Sequence, residues 1–346
     1  MSGELLLDVH GLRVDFATEE GVVRPVDGVD LQVRRGEVVA LVGESGSGKS
    51  VTAMTLLGLT RGPNATIGGS ARFEGTDLIA APDEEMRKVR GNRISMVFQD
   101  PMTSFDPVYR VGAQIVEAIR AHHPETPKEE ARARAVELFD AVGIDDAARR
   151  VDAYPHEFSG GMRQRAMIAM ALALEPDLLI ADEPTTALDV TIQAQVLGLI
   201  EQINRERELA TILITHDLGV VAEVADRVLV MYAGRVVEQG TLDEIFYDPQ
   251  HPYTWGLLGS VTRIDRPRPR RLPQIAGSPP SLLNLPQGCP FRPRCPHEFS
   301  KCPQLPDLEA RTPESEGHLD RCWLSPEEKR RKRLVEGQIG LEAPRA

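Results

Sequence analysis

No stretch of about 20 predominantly apolar residues, the length that spans a bilayer as a helix, occurs in this sequence. The longest uncharged run, Leu272 to Phe291, is broken by five prolines, which remove backbone donors and cannot sit in a spanning helix. Met1 to Glu20 mixes acids with short apolar runs, without a basic start leading into an apolar stretch, so no secretory leader is expected. Positive charge is in short supply as well. Forty Lys and Arg stand against 52 Asp and Glu, a formal net charge of −12, which speaks against general adhesion to nucleic acid. Cysteine is missing from the chain until Cys289, and all four, Cys289, Cys295, Cys302 and Cys322, follow from there. In a reducing compartment such clustering points to metal or catalysis rather than to disulfides. Together these absences predict a cytosolic chain whose membrane contact, if any, comes through a partner.

What is present is an ordinary globular core: 346 residues, 41% hydrophobic and 27% charged, enough for one large domain with an appendage. Residues 4–42 alternate in the manner of strands, with turn signals at Gly11 and Gly21. Val38-Val39-Ala40-Leu41-Val42 is a continuous apolar run, as in a strand buried on both faces. A helix is predicted from Lys49 to about Gly58, helices over 112–150 with a second segment from Pro127, and another from Ser159 to Leu174. Leu178 to Ala181 reads as a second buried strand, followed by a helix over 190–208, a strand over Thr211–Ile214 and a strand pair around Ala233-Gly234. Strands alternating with helices indicate an α/β domain with a largely parallel sheet. Of 26 prolines, 16 follow Tyr247, so the compact domain ends there and a loop-rich appendage begins. Glu327 to Arg333 reads as a solvated helix or frayed tail.

Two motifs carry chemistry. Gly43-Glu44-Ser45-Gly46-Ser47-Gly48-Lys49-Ser50 fits G-x-x-x-x-G-K-[ST] between an apolar strand and a helix. Its glycines let backbone N–H groups turn inward around phosphate oxygens, and the helix start adds its dipole. Lys49 is placed to neutralise the β- and γ-phosphates and the Ser50 hydroxyl to ligate Mg²⁺. Downstream, Asp182 and Glu183 stand at the carboxyl end of the second buried strand, where α/β sheets present ligands. Asp182 suits the Mg²⁺ shell, and Glu183 suits the water that attacks a phosphate.

Phe158-Ser159-Gly160-Gly161-Met162-Arg163-Gln164-Arg165 resembles the signature loop of ABC ATPases, with Met162 where that family usually has Gln. Gln99 resembles the Q-loop glutamine, Ala187-Leu188-Asp189 the D-loop, and His216 the switch histidine. Over residues 4–260 the resemblance implies an ABC-type P-loop ATPase: a RecA-like α/β core, an antiparallel β subdomain and a helical subdomain at about 100–160. It further implies that Gly43, Ser45 to Ser50 and Val51 hold the phosphates of ATP and that Ser50, Gln99 and Asp182 surround Mg²⁺. Glu183, His216 and Gln99 would then be catalytic. Ser159, Gly160 and Gly161 would act on ATP bound to a second ABC ATPase subunit, most simply in a heterodimer, with Asp189 communicating across it. Phe16 is the aromatic expected to stack on adenine, with Val22 and Arg24 competing for that space.

His251-Pro252-Tyr253-Thr254 and the proline-rich stretch behind it resemble the C-terminal extension of ATPase subunits in dipeptide and oligopeptide importers. That places an ATPase domain at 1–250, the extension at 251–326 and a charged tail at 327–346. The implied role is an importer motor on the cytoplasmic face of the membrane, peripheral to two transmembrane permease subunits and served by an extracytoplasmic solute-binding protein. Nickel or glutathione importers of the same subfamily are the alternatives, and a soluble DNA-repair type ABC ATPase is the rival from another class. The four cysteines, spaced C-x₅-C-x₆-C-x₁₉-C, can close around metal; the subfamily resemblance implies a [4Fe–4S] cluster, with Zn²⁺ or unliganded thiols remaining open. His297 and His318 are expected to be solvated, with a role as alternative ligands the other reading. The arginines Arg263, Arg266, Arg268, Arg270 and Arg271 form a local basic run; given the net charge it suits a linker near anionic lipid or an acidic partner surface better than the alternative, nucleic acid.

Overall fold

The structure, a computed structural model, describes residues 3–100, 104–185, 190–260, 274–310 and 317–335. The chain forms two compact units, one of Met1–Leu7, Val33–Val38 and Phe73–Ile214, the other of Asp8–Gln32, Val39–Arg72 and Thr215–Ala346.

In the first unit, Leu178–Asp182 lies between Ile94–Val97 and Ala210–Thr215, parallel to both. Every residue of these three strands is buried. That is why residues 178–181 read as an unbroken apolar run rather than an alternating one, and why the neighbouring strands are mostly apolar, with Ser95, Thr211 and Thr215 the exceptions. Four main helices pack with them: Val111–His122, Lys128–Ala141, Gly160–Ala171 and Val190–Arg207. Ile115, Ile119, Leu138, Phe139, Met167 and Ile200 join Leu179 in one core. The helical stretch expected over 112–150 is divided at His123 by a short turn before Pro127, which can begin a helix but not continue one. Arg165 donates to the carbonyls of Val142 and Gly143 at 3.2 and 2.7 Å, closing the end of Lys128–Ala141 where carbonyls lack helical partners.

In the second unit, Leu5–Thr18 and Gly21–Arg34 form a hairpin, with Ala65–Phe73 beside the first of them. Val38–Val42 runs parallel to Arg227–Tyr232, which turns through Ala233-Gly234 into antiparallel Arg235–Thr241. Both turn residues have positive φ, 47° and 83°, the conformation that matches the twist of a two-residue hairpin. The extension continues this sheet: Leu319–Asp320 pairs antiparallel with Gln239 and Glu238, and Glu309–Ala310 pairs with it in turn. Tyr232, Phe246, Tyr253 and Phe291 fill the core beneath.

Two expectations about the extension are corrected here. His318 is 5% exposed, its Nε2 2.8 Å from a carboxylate oxygen of the fully buried Glu238, and half-buried His297 sets its ring against Trp255 at 5.4 Å; neither is simply solvated. The 327–333 charge run is a helix, Pro326–Val335, but not a solvated one throughout. Lys329 is fully buried and donates to the equally buried Asp320 at 2.7 Å. A charge pattern in sequence carries no information about a buried partner nine residues away in a turn-and-strand segment.

Candidate nucleotide site and cysteine cavity

The phosphate loop begins where Val42 ends its strand, in register with Val230. Gly43, Ser47, Gly48 and Lys49 are buried, Ser45 and Gly46 exposed, Ser50 and Val51 half-buried. Gly48 caps the helix Lys49–Leu56 with φ at 104°. A Cβ there would fall 2.1 Å from the Pro25 carbonyl oxygen, so both backbone angle and space demand glycine. Lys49 folds back over the loop: its Nζ donates to the carbonyls of Gly43 at 2.7 Å and Glu44 at 3.0 Å. His216 shares an open cavity of about 360 Å³ with Gly43 and Glu44, lined also by Gln274, Ile275, Gly277 and Arg294.

In the first unit, Asp182 is 3% exposed as the last residue of its strand. A carboxylate so deeply buried requires a compensating donor or cation, which suits a divalent-metal role. Glu183 follows in the left-handed region, φ 49°, a conformation that costs a non-glycine residue energy and marks constrained sites. Its N–H donates to the Ile214 carbonyl at 2.8 Å, and its carboxylate accepts from Gln99 Nε2 at 3.0 Å. The structure thus joins two of the expected catalytic residues, 84 positions apart in sequence.

Ser159 caps the helix Gly160–Ala171, its Oγ accepting from the Met162 N–H at 3.3 Å. Phe158 anchors the turn, edge-on to Phe139 at 6.1 Å, while Ser159 and Gly160 stay exposed. A Cβ on Gly160 would meet nothing within 4 Å. The helix start therefore presents an open surface, and a helix N-terminus favours negative charge. Phe16 is half-buried near the end of Leu5–Thr18. Its competitor Arg24 is engaged by Asp15, with contacts of 2.6 and 2.8 Å that hold that carboxyl below its usual range. Asp189 and the Arg263–Arg271 run lie outside the described residues.

All four cysteines are half-buried, free of disulfides, and line one small cavity of about 20 Å³, with His251, Phe291, His297 and Leu324 among its other walls. The Cys289 N–H donates to the Cys302 carbonyl at 3.0 Å, and the Cys322 N–H to Asp320 at 2.9 Å. Burial pushes Cys289 up and drives Cys295 and Cys322 to about 12, so these three thiols, metal-free, stay protonated at neutral pH. Among the described residues, no three His, Cys, Asp or Glu side chains converge closely enough to hold a metal ion.

The motifs did not single out Glu44, Glu238, Tyr253 or Arg294. Tyr253 lay within a recognised His-Pro-Tyr-Thr string and Glu44 at a phosphate-loop position that the pattern leaves open; Glu238 and Arg294 carry no spacing signal, because their partners are tens to hundreds of residues distant.

Residues 26–186 match the family described as ABC transporter, and residues 237–302 match that described as oligopeptide/dipeptide transporter, C-terminal region. The sequence is 52% identical to the oligopeptide transport ATP-binding protein OppD of Salmonella typhimurium, over 94% of this chain and 95% of the relative. It is 51% identical to the dipeptide transport ATP-binding protein DppD of Bacillus subtilis, over 93% and 95% respectively. Among solved structures, the dimeric bacterial ABC transporter cassette MJ0796 superposes with a TM-score of 0.62 at 26% identity, covering 68% of this chain and 99% of that one.

Proposed function

The chain belongs to the ATP-binding subunits of ABC transporters, and from that membership we propose that it drives an importer of oligopeptides or dipeptides. It is an ABC-type ATPase. The observation that carries the peptide reading is that one chain joins the cassette to a peptide-transporter C-terminal region, with 52% identity to OppD over 94% of its length. Nickel and glutathione are the alternative solutes. A DNA-repair ATPase is disfavoured by that same C-terminal match.

In this reading Gly43 and Ser45 to Val51 hold the phosphates of ATP, with Lys49 leaving its loop carbonyls for them. Ser50, Gln99 and Asp182 hold Mg²⁺, which offsets the charge that builds on the phosphates; the deep burial of Asp182 fits that cation. Glu183, steadied by Gln99, orients the attacking water, and His216 senses the terminal phosphate. The open end at Ser159, Gly160 and Gly161 acts on ATP of a partner ATPase, with Asp189 at the same interface. Phe16 supports the adenine.

Among the described residues, no helix is long and apolar enough to cross a membrane. Its likeness to ATP-binding proteins of peptide transport supports a place at the cytoplasmic face of two permease subunits, which an extracytoplasmic binding protein supplies. Phe98, Val108 and Tyr109, 40%, 70% and 60% exposed around the Gln99 segment, support an apolar docking surface there. Cys289, Cys295, Cys302 and Cys322 would hold a [4Fe–4S] cluster. What supports a thiolate-bound group is that all four cysteines line one cavity.

The test is reconstitution with the permeases and partner ATPase in membranes. ATP hydrolysis is expected to rise with peptide-loaded binding protein, and uptake to follow a peptide rather than nickel or glutathione. Stimulation by DNA, with no hydrophobic subunits co-purifying, would overturn the importer reading.

A further inference from the structure

The phosphate loop carries a carboxylate where a polyanion has to be received. Glu44 directly follows Gly43, and an uncompensated acid at that position would repel the phosphates that the backbone N–H groups attract. Two side chains from beyond residue 250 take hold of it. Arg294 donates to both carboxylate oxygens, Nη1 to Oε2 at 2.5 Å and Nη2 to Oε1 at 3.0 Å. The Tyr253 hydroxyl accepts the Glu44 backbone N–H at 2.7 Å.

Neither contact is a loose surface pairing. The Arg294 side chain is 5% exposed, and its Nε donates to the Ala276 carbonyl at 2.9 Å. Its guanidinium also lies 5.8 Å from the Tyr232 ring centroid and 6.0 Å from that of Phe291. A planar fork fixed on both sides binds a carboxylate bidentately with little entropy left to lose. Tyr253 is fully buried. Its N–H donates to His251 Nδ1 at 3.1 Å, and the His251 N–H donates to Glu238 at 2.8 Å. The His-Pro-Tyr string is thus a bracket: its base is tied to the buried Glu238 and its tip to the phosphate loop. Arg294 in turn directly precedes Cys295, so the cysteine cavity and the loop are linked through one residue.

We propose that Arg294 and Tyr253 are positioning residues of the nucleotide site, clamping Glu44 so that the phosphate loop keeps its receiving shape and its carboxylate stays neutralised. The proposal rests on the ATP reading of that loop. It gives the His-Pro-Tyr string a mechanical purpose, and it makes nucleotide affinity depend on the folded extension.

The experiment is equilibrium ATP binding to the full chain, with hydrolysis measured in the assembled complex. Arg294→Met leaves the Glu44 carboxylate bare and is expected to raise the Kd for ATP about tenfold, a coupling typical of contacting charged groups. Adding Glu44→Gln removes the bare charge and is expected to bring the Kd back to within about threefold of wild type. Tyr253→Phe is expected to weaken binding about threefold. In the complex, KM for ATP rises while kcat at saturation stays within about twofold, the pattern of lost uniform binding. A purely structural role would make the double variant as weak as Arg294→Met or weaker, and that result, or a Kd for Arg294→Met within about twofold of wild type, overturns the clamp. Lys49→Ala is the control. If it binds ATP as wild type does, the nucleotide reading itself fails and takes the clamp with it.

Discussion

Lys329→Met should loosen the C-terminal extension far more than a change in a charged surface helix would. Lys329 and Asp320 are 0% and 1% exposed, with 2.7 Å between nitrogen and oxygen. Asp320 also accepts the Cys322 N–H at 2.9 Å. Methionine keeps the length and most of the volume of lysine, so packing changes little and the loss is electrostatic. Removing one partner of a buried ion pair leaves the other charge desolvated, at a cost of about 3–5 kcal/mol. With two compact units, global unfolding is a poor measure of this, whereas native-state hydrogen exchange reads the extension locally. The amide to follow is that of Arg321, which donates to the Val237 carbonyl at 2.8 Å. Its protection should fall by about two to four powers of ten, while amides of Leu178–Asp182 are unaffected. Adding Asp320→Asn removes the stranded charge but keeps an acceptor for the Cys322 N–H, and should recover most of the loss. Unchanged protection at Arg321 in Lys329→Met, or a double variant as loose as the single one, would refute the reasoning.

Glu183→Gln should keep ATP binding and slow hydrolysis by about 10² or more, read by single-turnover assay; near-wild-type turnover in the assembled complex would remove Glu183 from its role. Gly160→Asp meets open space, so the fold should survive while the partner's site loses activity through added negative charge; isolated monomers hydrolysing ATP at the full rate of the complex would contradict the shared site. Anaerobically purified chain should be brown, absorb near roughly 400 nm and contain about four irons, with single Cys→Ser changes bleaching it; stoichiometric zinc without iron would defeat that assignment. Burial draws the His318 pKa down, but its hydrogen bond to Glu238, with Glu244 and Asp248 nearby, outweighs this and leaves it raised. A folded pKa above the unfolded one means that this contribution is complete below about 6.5. It is lost as pH rises through the folded value, so the wild-type minus His318→Gln difference in extension stability should shrink with rising pH.

The chemistry at each motif was legible in the linear sequence, because it is built from neighbours. The phosphate loop needs glycines at fixed offsets between a strand and a helix, the carboxylate pair ends an unbroken apolar run, and Ser159 caps its own helix at Met162. These are interactions over a few residues, and residue type and spacing specify them. The buried parallel strands were legible for the same reason, since burial on both faces removes every polar residue from Leu178–Ile180 and Ile212–Ile214. What only the tertiary structure decided were pairings between distant residues, which no period or spacing encodes. Gln99 meets Glu183 across 84 positions and Arg294 meets Glu44 across 250. Lys329, one cation in a charged run, is buried because the fold lays its helix against Asp320. His318, expected in solvent, is enclosed because Leu319–Asp320 adds to the sheet beside Glu238. A charge is read as solvated by default, since burial costs several kcal/mol per ion; only the chain path supplies the buried counter-charge that reverses that sign.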